Sequence, residues 1–135
     1  MLVVDASRTL SLCLDDERDD AVLRLVDRLA VEDAIAPAIW ALEMANGLCS
    51  AIRRGRLAPH DLPRLRQLIS RLPIDLEPTP VTEATGAILD LAIRHDLSAY
   101  DAAYLDLASR TGAMMATGDD RLRAACRAAG VQLLD

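Results

Sequence analysis

The chain has 135 residues, enough for one ordinary domain spanning 1–135 and too few for two. Hydrophobic residues make up 52% of it, with no Phe, one Trp and two Tyr, so the core must come from Leu, Ile, Val and Ala. A net charge of −6 excludes nucleic-acid binding by bulk charge and leaves it open only through a local basic patch or bound cations.

Leu2-Val3-Val4 is a brief, β-branched apolar run ending at Asp5 and reads as a buried strand. Ser7 to Leu14 suits a first helix. The acidic cluster Asp15 to Asp20 suits the start of a second, where the helix dipole favours anions. In that helix Val22, Leu25, Val26 and Leu29 recur at helical spacing. Ala34-Ile35-Ala36 is a second short strand stopped by Pro37, which is placed for a first helical turn. A long helix is expected over Ala38 to Arg54, closed by Gly55, and another over Asp61 to Arg71. Ile74-Asp75-Leu76 is a weak strand candidate. Helices follow over Thr82 to His95 and Ser98 to Arg110. Ala113 to Ala116 reads as a buried strand, Asp119 to Ala129 as a helix stopped by Gly130, and Val131 to Leu134 as a last strand. Strands alternating with helices predict an α/β fold: a central, mostly parallel sheet of about four to five strands with helices on both faces. In such sheets ligands bind outside the carboxyl ends of the strands, so Asp5 and Asp119 are expected to face one crevice.

Four acids stand alone in uncharged surroundings. Asp5 is the first charged side chain of the chain. Glu43 is the only charge between Asp33 and Arg53, and Asp101 the only one between Asp96 and Asp106. Asp119 follows an uncharged run from Thr111. A buried carboxylate needs a partner, and nearby bases are too few to serve all four. A divalent cation serves several acids at once, and magnesium prefers carboxylate and water oxygens. Such a cluster is suited to cutting phosphodiesters, and the cation lets a negative protein meet a negative substrate. Each acid also has a plainer reading. Ser98 to Asp101 has capping-box spacing, Asp119 or Asp120 can cap the last helix, and Asp5 can be a turn acceptor. Glu43 has the weakest plain reading, because its stretch of helix offers little polar face. Asn46 lies one turn after Glu43 and shares its face. Ser7 is expected to cap the first helix, or else to bond a water at the metal.

The basic residues are all Arg, whose planar fork suits phosphate or carboxylate; a GC-rich coding bias is the plainer cause. Arg53, Arg54 and Arg56 form a patch at the end of the Glu43 helix, with Arg64, Arg66 and Arg71 near in sequence. They suit RNA guidance, the carboxylate of an acidic partner peptide, or simply a solvated face. Cys13, Cys49 and Cys126 are odd in number, lack C-x-x-C spacing, and are expected as buried thiols of a reducing cytosol. The start of the chain lacks the basic region of a signal peptide, and no uncharged apolar run reaches membrane-spanning length. The expected location is the cytoplasm.

Four blocks resemble a known family. Leu2-Val3-Val4-Asp5-Ala6-Ser7 is similar to the opening V-x-D-A-S of PIN domains. Pro37 to Leu48 is similar to their P-x-x-W-x-x-E-V-x-N-x-L helix, with Met44 in place of the usual Val. Leu97 to Leu105 is similar to L-S-x-Y-D-A-x-Y-L, and Ala116-Thr117-Gly118-Asp119 to A-T-x-D. Within that family the chain most resembles VapC-type toxins of bacterial type II toxin–antitoxin pairs. The resemblance implies a PIN-like three-layer fold and an endoribonuclease held inactive by a cognate antitoxin. It implies magnesium, with manganese as a substitute, held by Asp5, Glu43, Asp101 and Asp119, and a homodimer. Thr117 and its T-x-D spacing favour Asp119 over Asp120 as the fourth acid. Arg8 stands where an aliphatic residue is common, so a cation able to contact RNA or antitoxin is expected beside the site. Two other readings compete. One is a non-catalytic partner-binding α/β domain whose acids merely cap helices. The other is a haloacid dehalogenase-like phosphohydrolase, which wants a second Asp where this chain has Ser7.

Overall fold

A computed structural model describes all residues, 1–135. Four parallel strands form one sheet in the order β3-β2-β1-β4: β1 Leu2–Val4, β2 Ala34–Pro37, β3 Ile74–Glu77 and β4 Met114–Ala116. Eight α-helices connect and flank them. They are α1 Ala6–Cys13, α2 Asp20–Leu29, α3 Ile39–Arg53, α4 Leu62–Ser70, α5 Val81–Glu83, α6 Leu89–His95, α7 Ala99–Thr111 and α8 Asp120–Ala129.

The period-2 alternation of β1 sorts the layers. Leu2 and Val4 join Val22, Leu25 and Leu29 of α2 in one apolar cluster. Val3 points the other way, into a larger cluster with Trp40, Leu65, Tyr104, Leu105 and Leu122. Helices therefore cover both faces, as a parallel sheet requires. Aromatic content is low, and only Trp40 and Tyr104 supply rings to this core.

The departures from expectation are local. Pro37 ends β2 rather than opening the next helix; its missing N–H costs nothing at a strand end, where Ala38 N–H goes to the Glu77 carbonyl. The acidic run folds as a separate 3₁₀ turn, Asp15–Glu17, and Asp19 caps α2 by accepting the Val22 N–H. The helix expected over Thr82 to His95 contains a π turn, Ala84–Ile88, centred on Gly86, whose lack of a Cβ tolerates the irregular backbone. Val131 to Leu134 makes only one bridge, Leu133 with Met115, instead of a full strand. Cys49 is exposed on α3, contrary to expectation, whereas Cys13 and Cys126 are buried. No helix is long and apolar enough to cross a membrane.

Candidate functional site

The chain runs from β1 outward to β2 and β3, then crosses back to place β4 on the other side of β1. The strand order thus reverses between β1 and β4, and a crevice opens at their carboxyl ends. Asp5 follows β1 directly, and Thr117, Gly118 and Asp119 follow β4. The Asp5 N–H to Ala116 carbonyl bond, 2.9 Å, ties the two strand ends together. α3 and α7 bring Glu43 and Asp101 to the same place. Asp5, Glu43, Asp101 and Asp119 line one pocket of about 500 Å³, with Ser7 and Asn46 also on its wall.

Asp5 is only 4% exposed. Its Oδ2 accepts two hydroxyl hydrogen bonds, from Ser7 Oγ at 2.5 Å and from Thr117 Oγ1 at 2.6 Å. Ser7 therefore does not cap α1: its hydroxyl is turned to Asp5, and it accepts the Gly118 N–H at 3.1 Å. Ser7 is already the second residue of α1, whose N-cap position is Asp5. Thr117 Oγ1 also accepts the Asp119 N–H at 3.0 Å, so one hydroxyl links two of the four acids. Glu43 Oε1 accepts from the hydroxyl of Tyr104, a wholly buried residue of α7, at 2.8 Å.

The capping readings are fulfilled alongside. Ser98 Oγ accepts the Asp101 N–H at 3.1 Å, and Asp101 also lines the pocket. Asp119 is the N-cap of α8, its Oδ1 accepting the Leu122 N–H at 2.8 Å, and it still lines the pocket. Asp120 is exposed and lies outside the lining, so the position after Thr117-Gly118 is the one that faces the other acids.

The electrostatics are those of crowded like charges. Burial pushes the Asp5 carboxyl up; the hydroxyls of Ser7 and Thr117 pull it back, and Asp119 adds to the rise. Burial also raises Glu43, opposed by the Tyr104 hydroxyl and assisted by Asp5 and Asp101. Asp101 is raised by burial, then by the charges of Asp119 and Asp5. Burial and the neighbouring Glu43 push the Tyr104 phenol far up, so it stays a donor. The set consists entirely of hard oxygen donors, with no Cys or His, and this chemistry fits a hard divalent cation. The acids converge without closing into a compact group of three that would itself define a metal cage.

The basic residues separate. Arg8 lies behind the site: its Nη2 donates to the Thr117 carbonyl at 3.0 Å and its Nη1 pairs with Asp19 at 3.5 Å. Arg123 donates to the same carbonyl at 3.3 Å and pairs with Asp135. Arg56 pairs with Asp16 and Glu17. Arg53 and Arg54 are exposed at the end of α3. His60 is exposed and away from the pocket. Tyr104 and Arg123 were not singled out from sequence. The available signal for Tyr104 was its place one helical turn after Asp101, on the same face of the helix.

A family model for the PIN domain matches residues 2–128. The chain belongs to the PIN-domain family. Among its relatives in that family, Ribonuclease VapC3 of Pyrobaculum aerophilum is 30% identical over 90% of this chain and 91% of its own length. Ribonuclease VapC9 of Mycobacterium tuberculosis is 34% identical over 90% of this chain and 88% of its own. Two solved PIN-like structures share the fold, each with a TM-score of 0.68. PAE2754 from Pyrobaculum aerophilum is 22% identical, covering 92% of this chain and 84% of that one. FitAcB from Neisseria gonorrhoeae is 23% identical, covering 100% and 97%.

Proposed function

We propose that this PIN-domain chain is a magnesium-dependent endoribonuclease of the VapC type, the toxin of a type II toxin–antitoxin pair acting in the cytoplasm. The observation that carries the reading is the convergence of four carboxylates, from four separate segments, on one pocket in a chain whose relatives are ribonucleases. Asp5, Glu43 and Asp101 would hold the ion, and Asp119 would hold it directly or through water. The chemistry a divalent ion supplies in such a site is acidification of a water and neutralisation of charge on the phosphate. Ser7 and Thr117 orient Asp5, and Tyr104 orients Glu43, in the way outer hydrogen bonds fix ligating carboxylates. Asn46, on the pocket wall, is placed to bond the substrate or a water. The binding-module reading requires acids that merely cap helices. Capping alone does not account for them, because all four acids line one pocket, Asp119 among them while it caps α8.

Two surfaces support the proposed partners. A mostly apolar groove of about 510 Å³ between α3 and α4, with Arg66 on its wall, suits an antitoxin segment. Val81, Leu89 and Ile93 are exposed apolar side chains that a homodimer contact would cover.

Purified protein should cleave RNA with magnesium and not in EDTA, and Asp5→Asn or Asp101→Asn should abolish cleavage while circular dichroism shows the fold intact. Full activity in either variant refutes the role assigned to that residue.

A further inference from the structure

The acidic pocket does not end at the acids. Ser7, Leu10 and Gly47 form part of its wall, and the same three residues line a second groove of about 250 Å³. The two depressions therefore meet over a saddle where α1 crosses α3. The saddle is low because position 47 lacks a Cβ; one there would overlap the Leu10 side chain. Beyond it the groove passes Ser50 and reaches Arg54 and Arg56; the one acid on its wall, Glu17, is paired with Arg56.

The arginines around this path are not equivalent. Arg8 is spent on the Thr117 carbonyl and Asp19. Arg56 is held by Asp16 at 3.1 Å and Glu17 at 3.6 Å. Arg53 does not line the groove. Arg54 lines it and makes no ion pair or side-chain hydrogen bond, so its guanidinium is the uncommitted positive charge on the path. In a chain of net charge −6, an unpaired guanidinium lining a groove that joins the acidic pocket is a local attraction for a polyanion.

We propose that this groove seats the RNA strand flanking the scissile phosphate, with Arg54 holding a neighbouring backbone phosphate. The proposal rests on the nuclease reading and adds a direction to it: the strand leaves the acids over Leu10 and Gly47 toward the end of α3. A guanidinium matches a phosphate bidentately and reads no base, so the contact serves affinity and register rather than sequence. An acidic protein segment is the weaker fit, because following the groove would bring it against the four carboxylates with no reacting group to offer.

The test uses the full chain and a short, fluorescently labelled single-stranded oligoribonucleotide of mixed sequence. Anisotropy is read in EDTA over a series of salt concentrations, and cleavage in magnesium. Arg54→Gln should weaken binding about five- to tenfold and lower the log–log salt slope by roughly 0.7, the value for one phosphate on a single strand. In magnesium it should raise KM while sparing kcat. Arg53→Gln should change neither, and Arg54→Lys should restore the slope. Equal behaviour of the Arg53 and Arg54 variants overturns the proposal. So does RNA binding that ignores Arg54→Gln while binding of a polyglutamate peptide is lost. The two readings fail separately. RNA cleavage with Arg54-independent binding sinks the groove and keeps the nuclease; Arg54-dependent binding without cleavage in magnesium does the reverse.

Discussion

Asp5 is tied to its surroundings more tightly than the other acids. Both hydroxyl donors land on one of its oxygens, and both come from segments that also fix the β4 loop. Thr117→Val should therefore cost about 1–3 kcal/mol in a denaturant titration, because it leaves a buried carboxylate short of a donor. Tyr104→Phe acts on the other side of the pocket. It frees Glu43 without removing a ligand, so it should raise the magnesium needed for half-maximal cleavage about tenfold. An unchanged magnesium requirement would show that the phenol only packs. The raised carboxyls also set a pH dependence. Asp5, Glu43 and Asp101 bind protons more tightly folded than unfolded. Over the interval from the ordinary carboxylate values up to the raised ones, the folded state therefore holds more protons, and stability falls as pH rises. Metal-free protein should accordingly lose melting temperature as pH climbs through that interval toward neutrality, as read by thermal melts in EDTA. The acids were legible in the sequence because Asp5, Glu43 and Asp101 each stand alone in an uncharged stretch and Asp119 ends one. Tyr104 was not, because a tyrosine on a largely buried helix face looks the same whether it packs or donates.

α1 and α3 frame both the pocket and the groove, and their close approach depends on one absent methyl group. Gly47→Ala gains up to about 1 kcal/mol of helix propensity, but the added carbon collides with Leu10, and overpacking typically costs about 1–3 kcal/mol. The net expectation is a destabilised protein with impaired cleavage, because Ser7 on α1 and Glu43 on α3 move apart. Adding Leu10→Ala should return part of the cleavage rate; no recovery in the double variant would mean that the saddle does not set the spacing. Most elements were readable from apolar runs and spacing: β1 from its brief β-branched run, α2 from the helical spacing of Val22, Leu25 and Leu29. The failures are where tertiary pairing decides. Val131 to Leu134 has strand composition, yet it reaches the sheet only at Leu133, where the short β4 offers Met115 as its partner. The π turn at Gly86 was hidden because Ala87 and Leu91 continue a helical pattern, while the register change is a backbone event at one glycine.

For the molecule as a whole, the reversal of strand order between β1 and β4 is what gathers acids more than a hundred residues apart. The alternation of strands and helices foretold a crevice at the strand ends. It could not foretell that α3 and α7 would both lean over that crevice, since helix placement follows from packing of Trp40, Met44, Tyr104 and Leu105 in one cluster. The arrangement concentrates negative charge in a chain that is already acidic, a local cost to stability that a cation would remove. The most direct test is the melting temperature of the wild type and of Asp101→Asn, each in EDTA and in saturating magnesium at neutral pH. The account predicts that magnesium raises the wild-type value, and that Asp101→Asn melts higher than the wild type in EDTA and scarcely responds to the ion. A wild type indifferent to magnesium, or a variant that responds as fully as the wild type, would contradict it.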